Sequence, residues 1–180
     1  GPFLTAEERM LIAETVLETG FDAPVTVGHC CSLAVQPDAE WLHTLDLLAR
    51  AGINVVSLPM CNLYLQDRHA GRTPRWRGVT LVHEMAARGI NVSFASDNTR
   101  DPFYAYGDLD MLEVMREATR IAHLDHSGND WPGAFLTNPA RACGFDAPSL
   151  SPGAPADLVI CRARHWSELF ARPQSDRIVL

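Results

Sequence analysis

Three β-branched runs, separated by helical segments, constrain this chain more than any other feature. They are Pro24-Val25-Thr26-Val27-Gly28-His29, Ile53-Asn54-Val55-Val56-Ser57-Leu58-Pro59 and Ile90-Asn91-Val92-Ser93-Phe94-Ala95-Ser96-Asp97. Between and around them, apolar residues recur at helical spacing. Met10, Ala13, Val16 and Leu17 do so over Ala6–Glu18, with Thr5 as the expected N-cap and Gly20 as the stop. Trp41, Leu42, Leu45 and Leu48 do so over Asp38–Ala51, and Val82, Met85 and Ala86 over Val79–Arg88. A last helix, over about Leu109–Leu124, places Met111, Leu112, Met115, Ala118 and Ala122 on one face. Strand–helix alternation of this kind implies an α/β fold with parallel strands and right-handed crossovers. Three strands are too few to close a (β/α)8 barrel, which needs eight.

One short pattern recurs. Ala49-Arg50-Ala51-Gly52-Ile53-Asn54-Val55 and Ala86-Ala87-Arg88-Gly89-Ile90-Asn91-Val92 predict one αβ turn used twice, with glycine just past each helix. Beyond Ser127 the character changes. Thr137-Asn138-Pro139-Ala140-Arg141-Ala142-Cys143-Gly144 predicts a short helix capped by threonine and closed by glycine. Ser151–Ile160 reads as a turn entering a strand, and Asp176–Leu180 as another strand. The expected organisation is a main unit over residues 1–145 and part of a small β-domain over 146–180.

A chain of 180 residues, 47% hydrophobic and 21% charged, can bury a real core. No apolar run approaches a membrane span, and Gly1–Arg9 lacks the basic-then-apolar order of a secretory signal. A net charge of −7 argues against nucleic acid as a partner, and only Arg68, Arg72, Arg75 and Arg77 cluster. The five cysteines, an odd number without CxxC spacing, are expected to be reduced thiols of a cytoplasmic protein.

Thr137-Asn138-Pro139-Ala140 followed by Pro152-Gly153 and Asp157-Leu158-Val159 resembles the C-terminal signature of amidohydrolase-superfamily enzymes. Within that superfamily the chain is similar to the cytosine deaminase-like branch. The similarity runs through Val25–His29, Leu58–Arg68, Pro74–Thr80, Ile90–Asp97 and Asp101-Pro102-Phe103-Tyr104, in the family's order. The resemblance implies that the three strands are strands six, seven and eight of a TIM-type (β/α)8 barrel, with part of the flanking β-domain after them.

The same resemblance implies a metal-dependent hydrolase that deaminates cytosine or a related nitrogen heterocycle by attack of metal-bound hydroxide. Asp97, ending its strand, matches the family's metal-binding and proton-holding aspartate, for one zinc or iron ion. His29 matches the strand-six histidine that polarises the water or the substrate. On residue type alone, Asp97 reads equally well as a turn aspartate, and a lone histidine after a strand, such as His29, is more often an ordinary hydrogen-bonded residue. Asn98 stands where cytosine deaminases commonly carry a second aspartate, so an aminotriazine or another heterocycle fits as well as cytosine. Phe103 is a candidate apolar wall for a flat ring, with core or lid packing as the alternative. The loop Asn62–Gly78 is long enough to suggest a lid, and places Asn62 and Gln66 as substrate-side candidates.

The family's H-x-H pair, strand-five histidine and catalytic glutamate have no counterparts here. The chain is therefore expected to be an incomplete, inactive fragment of the enzyme, with an exposed sheet edge. The alternative is a non-catalytic half-barrel interaction module. Expected partners are a small heterocyclic substrate and further copies of the chain, with no membrane.

Overall fold

The computed structural model describes residues 6–128, 130–172 and 176–180. Seven α-helices are present among them: α1 Ala6–Thr19, α2 Asp38–Arg50, α3 Pro59–Leu65, α4 Val82–Ala87, α5 Met111–Ala122, α6 Thr137–Cys143 and α7 Trp166–Ala171. Strands β1 (Thr26–Gly28), β2 (Asn54–Ser57) and β3 (Val92–Phe94) form a parallel sheet in the order β1-β2-β3. Thr26 lies opposite Asn54, and Val55 opposite Val92. Strands β4 (Val159–Cys161) and β5 (Arg177–Val179) pair antiparallel in a separate sheet. No described helix is long and apolar enough to cross a membrane. The expected Thr5 cap lies outside the described residues.

Apolar period explains the core. Val27, Val55, Val92 and Phe94 of the strands belong to one buried apolar cluster with Leu45, Leu48, Met85, Val114 and Ala118 of the helices. Phe94 stacks on Phe135 at 4.9 Å between centroids. Leu17, Leu42 and Met111, expected on buried faces, are exposed, and Thr44 and Thr119 are buried instead. Their hydroxyls satisfy themselves by donating to the carbonyls four residues back, Glu40 and Met115.

The recurrent pattern is one capping motif built twice. Ile53 N–H donates to Leu48 carbonyl and Ile90 N–H to Met85 carbonyl, both at 3.1 Å. Gly52 and Gly89, at φ 63° and 74°, make the left-handed reversal that this motif requires. The asparagine that follows each glycine has a structural use. Asn54 Nδ2 donates to Val25 carbonyl, and Asn91 Nδ2 to Asn54 Oδ1 (2.8 Å) and to Asn138 carbonyl. Asn138 Nδ2 in turn donates to Val92 carbonyl at 2.7 Å. That carbonyl lies on the open edge of β3, because the ladder to β2 uses Asn91 and Ala95. An amide ladder thus ties the strand beginnings together and caps part of the exposed edge.

Three local expectations are corrected. The helix expected over Val79–Arg88 begins only at Val82, because the Thr80 side chain is drawn into bonds with Ser57 and His29. The loop expected from Asn62 begins at Gln66, because Pro59 sits in the first turn of α3 and extends helix over Asn62. Thr137 does not cap α6. Its hydroxyl donates to Gly133 carbonyl, and Leu136 occupies the cap position.

Candidate active site

The residues that follow the three parallel strands lie at one end of the sheet, the carboxyl end where α/β folds gather chemistry. His29 N–H donates to Val56 carbonyl at 2.9 Å, extending the ladder by one residue. The chain then turns sharply, with φ of 68° at His29 and 50° at Cys30. Asp97, beyond β3, also has a positive φ, 67°. Left-handed backbone costs a non-glycine residue about 1–2 kcal/mol. Such strain collects at functional sites, where surrounding structure holds it in place. Here Thr80 Oγ1 donates to His29 carbonyl at 2.6 Å and accepts from Ser57 Oγ at 2.9 Å, fixing the His29 backbone from behind. The two side chains face each other, with His29 Nδ1 4.0 Å from Asp97 Oδ2.

Residues of α3 line the gap between them. Asn62, 1% exposed, has its Oδ1 2.7 Å from His29 Nδ1, and its Nδ2 is buried without a hydrogen-bond partner among the described residues. Cys61 is fully buried, and its Sγ lies 3.8 Å from Asn98 Oδ1. Its thiol is pushed up to about 12, chiefly by burial and then by a hydrogen bond to Asp97 and the charge there. The thiol therefore stays protonated and donates.

Asn98 is committed to its own loop. Its Nδ2 donates to Asp101 Oδ2 at 2.5 Å, and Asp101 also accepts the backbone N–H groups of Phe103 and Tyr104. The Tyr104 N–H, followed by the Asn98 amide, holds the Asp101 carboxyl below its ordinary range. Phe103 is exposed, and its carbonyl accepts from Arg68, whose guanidinium lies 4.8 Å over the Tyr64 ring. Tyr64, Tyr104 and Tyr106 contact one another edge to face, so the end of α3 and the loop after Asp97 share an aromatic rim. Gln66 turns away from the strand ends. Its amide donates to Gly78 carbonyl and accepts Gly78 N–H, closing the base of the arginine-rich loop.

The structure therefore brings His29, Asp97, Asn62 and Cys61 together, with Asn98 at the edge and Phe103 at the rim. Cys61 and Thr80 were not read from the sequence as site residues. The signal for Cys61 was its place two residues beyond Pro59, where β2 ends. For Thr80 it was a lone hydroxyl inside the apolar run Val79–Val82.

No group of three or more His, Cys, Asp or Glu side chains able to hold a metal ion occurs among the described residues. The donors present are one carboxylate, Asp97, and one imidazole beside it, which fits part of a divalent-cation site and not a full tetrahedral set.

Comparison with known proteins gives this geometry a context. A profile of the Amidohydrolase family matches residues 6–179. A pterin deaminase of Rhizobium rhizogenes is 60% identical over 170 residues, covering 94% of this chain and 39% of that protein. The structure of 5-methylcytosine deaminase from Klebsiella pneumoniae, liganded with 5-fluorocytosine, superposes with a TM-score of 0.78 at 32% identity over 94% of this chain and 42% of that one. N-isopropylammelide isopropylaminohydrolase from Burkholderia multivorans superposes with a TM-score of 0.69 at 28% identity, covering 92% of this chain and 39% of that one. The chain thus spans about two fifths of the length of these relatives. With its profile matched almost end to end, the chain belongs to the Amidohydrolase family.

Proposed function

We propose that this chain supplies strands six to eight of a TIM-type barrel, and the start of a flanking β-domain from about residue 146, to a hydrolytic deaminase of flat nitrogen heterocycles. The observation that carries the reading is the approach of His29 and Asp97, 4.0 Å apart on separate strand ends, both in left-handed backbone. A ring of the pterin type is the first substrate to test, because the 60% identical relative is a pterin deaminase. The rim of Phe103, Tyr104 and Tyr106 suits a planar ring, and Asn98, its amide held by Asp101, sits at the edge of the same site.

Asp97 would hold one divalent cation, zinc or iron, together with donors from outside these residues. Such an ion supplies Lewis acidity at neutral pH. The chain's own groups would then have distinct tasks. Asp97 would take and return a proton at its carboxylate, His29 would polarise the attacking water, and the aromatic rim would orient the ring and exclude solvent. Homo-oligomerisation belongs to the same proposal.

The test is ammonia release by the full-length protein from pterin, cytosine and aminotriazines. Asp97→Asn should lower kcat/KM at least about 100-fold and reduce bound metal, and His29→Asn should lower kcat with metal retained. Full activity in Asp97→Asn would sink the reading. Alkylamine release from an N-alkylaminotriazine in place of ammonia release would favour the aminohydrolase alternative, which the N-isopropylammelide isopropylaminohydrolase likeness supports.

A further inference from the structure

Asn62 has a role that its position alone does not announce. It sits in α3 with its backbone fixed at both ends: its N–H donates to Leu58 carbonyl and its carbonyl accepts Gln66 N–H, both at 3.0 Å. Pro59 presets the first turn of that helix. The side chain is therefore delivered from a rigid platform to His29, with Oδ1 2.7 Å from Nδ1. An amide oxygen can only accept, so the ring nitrogen facing it carries the proton. The neutral imidazole then has its lone pair on Nε2, the nitrogen remote from Asn62.

A carboxylate competes for the same proton. Asp97 Oδ2 is 4.0 Å from Nδ1, beyond hydrogen-bond reach, whereas Asn62 is within it. The neutral amide, and not the carboxylate, thus takes the imidazole N–H as a hydrogen bond. The one side-chain hydrogen bond of Asn62 among the described residues goes to His29.

We propose that Asn62 is a positioning residue that fixes His29 in the Nδ1–H tautomer, holding the ring by a hydrogen bond at 2.7 Å while Asp97 stays at 4.0 Å. The proposal rests on the reading of His29 as an active-site group. It predicts that an acceptor, and not merely a buried side chain, is required at position 62.

The experiment uses the full-length protein labelled with ¹⁵N-histidine, with the His29 signals assigned by their loss in His29→Asn. Two-bond ¹⁵N–¹H correlations report which ring nitrogen bears the proton. Wild type should show Nδ1–H, and Asn62→Leu, similar in size but without an acceptor, should lose that preference. In the deaminase assay Asn62→Leu should lower kcat about 10- to 100-fold with little change in KM. Asn62→Asp, which keeps an oxygen at the same place, should restore the Nδ1–H signature and recover part of the kcat. An Nε2–H tautomer in the wild type overturns the proposal. So does an Asn62→Leu protein that keeps both the Nδ1–H signature and kcat, and so does failure of Asn62→Asp to restore the signature. The tautomer measurement is independent of turnover. A protein that deaminates no heterocycle but shows the predicted tautomer shift loses the functional reading and keeps this one.

Discussion

Gln66 and Gly78 hold each other through two hydrogen bonds, Nε2 to the Gly78 carbonyl at 3.0 Å and Gly78 N–H to Oε1 at 2.5 Å. The glycine is buried against the backbone of the turn after His29: a Cβ at position 78 would lie 2.1 Å from Cys31 carbonyl oxygen. The pair closes the base of a loop that carries Arg68, Arg72, Arg75 and Arg77.

Gln66→Leu should therefore free that loop. It leaves a buried N–H and a buried carbonyl unpaired, a loss of roughly 2 kcal/mol. Limited trypsin digestion followed by mass spectrometry should show cleavage after the loop arginines accelerated about tenfold or more. An unchanged cleavage rate would mean that the loop is held by other contacts.

Ser57, Thr80 and His29 form a chain of hydrogen bonds in which Thr80 is nearly fully buried. Thr80→Val keeps the shape and removes both bonds, so it should destabilise the protein by about 1–3 kcal/mol in urea unfolding. Ser57→Ala should add little once Thr80 is valine, because the serine has already lost its partner. Strict additivity of the two variants would contradict the shared bond.

Asp67 accepts the backbone N–H groups of Arg75 and Trp76 and pairs with Arg72. The Arg75 N–H first, then the Trp76 N–H, with help from Arg72, hold its carboxyl at about 2 against the ordinary 3.8. A carboxyl lowered in the folded state contributes stability above its unfolded value, and that contribution fades as pH falls through the folded one. The clamp should hold at pH 5 and release between about pH 4 and pH 2. Hydrogen exchange at the Arg75 and Trp76 amides, read against far-UV circular dichroism for global unfolding, would follow it. Asp67→Asn should remove the pH step, and a step that survives in that variant assigns it elsewhere.

The cysteines should separate by access. Cys143 is exposed and Cys161 partly so, whereas Cys30, Cys31 and Cys61 are buried. Under native conditions a thiol reagent should modify Cys143 first and Cys161 more slowly, with the other three reacting only in denaturant. Early labelling of Cys61 would show that the wall beside Asp97 opens.

Much of the fold was legible because two periodicities carry it. The parallel strands lie within the three β-branched runs, and Gly52 and Gly89 end their helices as the pattern predicted. What escaped was set by tertiary hydrogen bonds. The Thr80 hydroxyl delays α4, and the Thr137 hydroxyl turns to Gly133 instead of capping α6. The same limit applies to the candidate site. The places of His29 and Asp97 at strand ends follow from local pattern, but the Asn62–His29 contact joins residues 33 positions apart. Gln66, expected near the substrate, faces Gly78, a pairing that only the folded loop reveals.

The amide ladder of Asn54, Asn91 and Asn138 lies at the opposite end of the strands from His29 and Asp97. Strand alignment and the candidate site therefore depend on different residues. Loops at the His29 and Asp97 end can be exchanged during divergence while the amides at the other end preserve registration. A scaffold divided in this way can change the residues around one end of its strands without first having to solve its folding again.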